Sequence, residues 1–104
     1  MGGSGSGGYR PSAPSNPCAN LTFRATINSP KPAVVGALQV GDVLDVVLDP
    51  ESHSVSLLHN GQTAGSLTGT HVAQLINCIN NGFDYQAEVV QLNGGQCVVQ
   101  VEPK

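Results

Sequence analysis

One stripe of helical period stands in a chain otherwise patterned in twos. Val72, Leu75, Ile76 and Ile79 fall at i, i+3, i+4 and i+7, one apolar face of a helix of about three turns. Most other apolar residues alternate with polar ones, the pattern of half-buried strands. One short helix cannot cover both faces of a flat sheet. A chain of many strands and one helix must therefore bend its sheet to bury the remainder. The expected class is mainly β, with a minor α+β character: a small antiparallel, partly open barrel carrying one helix.

The strands can be placed individually. Leu21, Phe23, Ala25 and Ile27 alternate with Thr22, Arg24 and Thr26, and Pro30 and Pro32 end that run by removing ladder donors. Residues 33–38 read as one helical turn, and Gly41-Asp42 as a bend. Residues 43–48 set Leu44, Val46 and Leu48 on one face, with Val43 and Val47 opposite, as though both sides were partly covered. Residues 55–58 form a further strand. Asn60-Gly61 is a hairpin signal, because both residues tolerate the positive φ of a type I′ turn. In the strand at 62–67, Gly65 suggests a bulge or a close backbone approach. Thr68 or Thr70 can cap the helix, and Gly82 suits a left-handed stop. Tyr85, Ala87 and Val89, then Cys97, Val99 and Val101, mark two closing strands joined by Asn93-Gly94-Gly95. Short connections make these neighbours antiparallel.

Of residues 1–17, twelve are Gly, Ser or Pro. Such a segment buries too little apolar surface to offset its ordering entropy, so a flexible tail is expected there and one domain over 18–104. Arg10, Pro11 and Pro14 fit a P-x-x-P ligand pattern. No apolar run approaches the ~18 residues of a membrane span, and no signal-peptide pattern opens the chain. The expected setting is cytoplasmic, in a bacterial-type protein.

Charge excludes a basic nucleic-acid clamp. Four Lys and Arg face seven Asp and Glu, a net −3. Arg24 and Lys31 are the only cations within the strand-rich part, where phosphate binding needs several. Chemistry-bearing motifs are equally sparse. Cys18, Cys78 and Cys97 form no C-x-x-C, and His53 and His59 lie six apart. His71 and Cys78 lie about 10 Å apart along the helix, too far to share one zinc. A Cys18–Cys78 bond would staple the start of the domain in an oxidising compartment. Without an export pattern the expectation is reduced thiols, with Cys78 and Cys97 as small buried hydrophobes. Asp45 and Asp49 share a strand face, with Asp42 off it, and read as a solvated face. No nucleophile elbow, P-loop or H-E-x-x-H occurs, so no catalytic, cofactor or metal residue is assigned and no enzyme is expected. Asn20-Leu21-Thr22 matches the N-glycosylation tripeptide, set aside as a chance match for lack of an export pattern.

Ala64-Gly65-Ser66-Leu67, the helical run His71-Val72-Ala73-Gln74-Leu75-Ile76, and then Gly82, Tyr85, Ala87 and Val89 resemble the second half of HIRAN domains. Thr68 stands where that family has proline. The resemblance spans about 30 residues. It implies a barrel of SH3-like or OB-like kind and, in that family, an accessory that binds DNA ends. Two functional expectations follow. One is a non-catalytic module for a protein partner or for self-association, because sparse charge leaves strand edges poorly guarded. The alternative is a HIRAN-like single-stranded nucleic-acid binder, with Arg24, Lys31, Phe83 and Tyr85 as candidate contacts.

Overall fold

The computed structural model describes residues 17–104. The expectations for the Gly/Ser/Pro-rich tail, including Arg10, Pro11 and Pro14, lie outside the described residues. A 3-10 turn at Pro17–Asn20 leads into strand β1 (Phe23–Thr26), and a single helical turn, α1, spans Pro32–Val35. A three-stranded meander follows: β2 (Val43–Asp49), β3 (Ser54–His59) and β4 (Gln62–Leu67). Helix α2 (Thr70–Asn80) precedes the closing hairpin of β5 (Tyr85–Asn93) and β6 (Gln96–Pro103).

The six strands form one antiparallel sheet in the order β1-β6-β5-β2-β3-β4. Curling brings its two ends together. Asn28, just past β1, exchanges two backbone bonds with Ser66 of β4, at 2.8 and 2.9 Å. The Lys31 amide adds a third to the Ala64 carbonyl at 2.8 Å. The sheet is thus a mainly β half-barrel whose outer strands meet over a short stretch. The edge of β4 is thus partly covered, bonded to β3 on one side and, at Ala64 and Ser66, to the 28–31 segment on the other.

Gly65 makes this meeting sterically feasible. A Cβ there would lie 2.2 Å from Ile27 Cγ2 and 2.8 Å from the Asn28 carbonyl oxygen. The ladder also shifts register here, pairing Leu57 with Gly65 but Leu58 with Thr63, so Ala64 and Gly65 are both buried. The bulge and the close approach expected at Gly65 are one device. The Asn60-Gly61 turn has the expected positive φ at both residues, +54° and +81°.

The interior is built from the alternating residues. Leu44, Val55, Leu57, Ala87, Val89, Cys97, Val99 and Val101 are fully enclosed, and Leu75 of α2 is enclosed with them. Helix α2 begins differently from the expectation. Gly69, at φ +118°, holds the N-cap position with no side-chain cap, and neither Thr68 nor Thr70 serves. A β-branched residue does not adopt that φ, so glycine takes the place. The other end is as read. The Phe83 amide bonds the Cys78 carbonyl and the Gly82 amide that of Ile79, with Gly82 at φ +93°, a Schellman stop.

Replacing Gly65 with alanine is expected to destabilise the fold by about 1–3 kcal/mol, the usual range for overpacking. Urea denaturation reads the loss. Amide exchange at Asn28 and Ser66 is expected to accelerate before exchange elsewhere.

Candidate functional site

The cysteines depart furthest from expectation. Cys18 and Cys78 are joined in a disulfide across a sequence separation of 60, with Cα atoms 5.4 Å apart. The expectation of reduced thiols is overturned. The bond ties the 3-10 turn to the buried face of α2, where Cys78 is 1% exposed. Closing a loop of this length removes about 4 kcal/mol of unfolded-chain entropy in the loop-closure picture. Cys97 keeps its thiol but is enclosed on β6, and burial pushes its pKa up. A buried thiol held protonated is a poor nucleophile.

A second link fastens the same turn. The Tyr85 hydroxyl, inside the barrel, donates to the Cys18 carbonyl at 2.5 Å. Burial pushes the phenol above its ordinary 10.0. Tyr85 is 2% exposed, so its ring offers no face for stacking on a base. The other candidate nucleic-acid contacts are scattered. Arg24 is exposed on β1, Lys31 precedes α1, and Phe83 is half-buried after the α2 stop. His71 instead stacks on Phe23, with ring centroids 4.8 Å apart.

The acidic residues also separate. Asp42 accepts from the Gln39 amide at 2.9 Å and lies 4.0 Å from His59 Nε2. Asp49 accepts from the Glu51 amide at 3.0 Å, and this bond, with help from Ser52, holds its carboxyl below the usual range. The two amide bonds are local turn contacts, whereas His59 approaches Asp42 from the end of β3. Among the described residues, no three His, Cys, Asp or Glu side chains gather as metal ligands. A cavity of about 290 Å³ opens between α1 and the β5–β6 hairpin, lined by Pro30, Pro32, Val35, Leu38, Leu92 and Gly95. It presents no ionisable side chain.

The outer face of β2 and β3 is the more distinctive surface. Val43 and Val47 point outward and are 49% and 43% exposed. The coverage expected on that side of β2 is absent. Register places Leu58 opposite Asp45, and so diagonal to both valines. On the other flank Val43 pairs with Glu88 and Asp45 with Gln86. Glu102 accepts from Gln86 and Gln100 one strand further along. The outward side chains of β2 therefore alternate, Val43, Asp45, Val47 and Asp49, so the two valines flank Asp45, with Leu58 opposite it and Glu88 opposite Val43. Periodicity revealed the outward position of the valines; their exposure needed the sheet register and the helix placement.

No protein family, curated protein or solved structure matches the chain.

Two variants and a thiol probe test this description. A Cys18→Ser/Cys78→Ser variant is expected to lose up to about 4 kcal/mol of stability by denaturant titration. In the native unreduced protein, no cysteine is expected to react with a thiol probe until the fold opens. Tyr85→Phe is expected to lose about 1–2 kcal/mol, because the buried hydroxyl bond to the Cys18 carbonyl is removed. The folded pKa of Tyr85 lies above its unfolded value. Its contribution is therefore complete below about pH 10 and lost as pH climbs through the folded pKa. The alkaline unfolding limb is expected to flatten in Tyr85→Phe.

Proposed function

We propose that the chain is a non-catalytic interaction module that docks a protein partner on the outer face of β2 and β3. The observation that carries this reading is the exposed pair Val43 and Val47, which flank Asp45 on β2 and lie diagonal to Leu58 on β3, with Asp49 and Glu88 beside them. Exposed aliphatic side chains interleaved with carboxylates suit a partner that brings apolar and basic groups together. The sign of the charge selects the partner. Asp45, Asp49 and Glu88 favour an aliphatic segment flanked by Lys or Arg. A second copy would set acid against acid, which disfavours symmetric self-association through this face. The same carboxylates repel phosphate, and Arg24 lies three strands away across the sheet, so the nucleic-acid alternative draws no support here.

Selection of displayed peptides on the full chain tests the reading. Enriched sequences are expected to pair aliphatic anchors with Lys or Arg. Each of Val43→Asp and Val47→Asp is expected to weaken their binding tenfold or more, since burying one valine contributes about 1.5 kcal/mol. Binding unchanged in both variants counts against this face. Salt-sensitive binding of a labelled single-stranded oligonucleotide would favour the alternative instead.

A further inference from the structure

We infer that Asn20 is an acceptor site for an N-linked oligosaccharide, on a chain whose fold is closed by the Cys18–Cys78 disulfide. Two independent observations meet at this position. The first is the tripeptide Asn20-Leu21-Thr22; no other asparagine in the sequence has Ser or Thr two residues on. Neither the middle residue nor the following Phe23 is proline. The second is the disulfide itself, two residues upstream. Disulfides of this structural kind persist in oxidising compartments, where N-glycosylation also takes place in secreted proteins. The tripeptide alone reads as a chance match for lack of an export pattern, and the bond is a separate indication of an oxidising setting.

The local geometry suits a bulky surface group. Asn20 ends the 3-10 turn and is exposed; Thr22 is exposed as well, while Leu21 between them is buried. The buried leucine and the flanking disulfide anchor the backbone, and the asparagine amide projects into solvent. A sugar chain there needs no repacking of the barrel. Transfer uses a lipid-linked oligosaccharide pyrophosphate as donor. The Asn20 amide nitrogen bonds to C1 of the first sugar and the C1–oxygen bond to pyrophosphate breaks. The lipid pyrophosphate leaves with the bonding pair, and the displaced amide proton passes to a base of the transferase.

The test is secretion of the full chain from a eukaryotic cell behind a cleavable leader. The expected product runs as a heavier species that collapses on treatment with a glycan-releasing amidase. Peptide mass spectrometry is expected to find Asp at position 20 after release, and non-reducing peptide mapping to find the Cys18–Cys78 bond in the glycosylated chain. Asn20→Gln and Thr22→Ala are expected to abolish the heavier species, and Thr22→Ser to retain it. Secreted wild-type chain with the disulfide formed and Asn20 unmodified overturns the inference. So does a glycan found only on chains lacking the bond. Both readouts are made on the wild-type chain, so neither depends on a variant folding.

Discussion

The two hydrogen bonds between Asn28 and Ser66 join the segment after the first strand to the fourth, and so connect the far ends of a six-stranded sheet. A flat sheet of this composition, covered by one helix of three turns, would leave a full face of valine and leucine in water. Curling turns that face inward, and Val55, Val89, Val99 and Val101 then fill a common interior. The cost of curling falls on one position. Where the ends meet, the chains approach so closely that a single methyl group at residue 65 would overlap Ile27. Glycine and the adjacent bulge together absorb the bend.

Much of this architecture was legible because its causes are local. Period-two alternation identified the inward residues of β2, β5 and β6. Asn60-Gly61 and Gly94-Gly95 marked hairpins through their positive φ. Gly65 signalled a special backbone position without revealing what approached it. Contacts between distant segments were less accessible. Cys18 and Cys78 are joined across a separation of 60 residues, and without an export pattern the spacing alone gave no reason to expect the bond. Tyr85 showed an inward strand position, but its hydroxyl partner is a backbone carbonyl 67 residues away, which no side-chain pattern encodes. The helix cap was misplaced for a related reason: two threonines advertised a side-chain cap, whereas the tight β4–α2 connection required the backbone freedom of Gly69. The valine-and-acid face was half legible, since alternation gave direction but not coverage.

The two fastenings of the 17–20 turn answer one physical problem. The segment enters the domain from a Gly/Ser/Pro-rich stretch and, beyond Cys18 and Leu21, has little apolar surface of its own to bury. Segments of this kind fray unless tied down. The disulfide secures it to α2, and Tyr85 secures its carbonyl to the barrel wall. Because Tyr85 is committed to that carbonyl and Cys78 to its bond, neither remains free for chemistry. The low charge of the chain acts in the same direction. With few ionisable groups, and those mostly at turns and on the outer sheet face, the interior is an apolar scaffold. The outer face of β2 differs from that interior, because there valines and aspartates alternate along one strand.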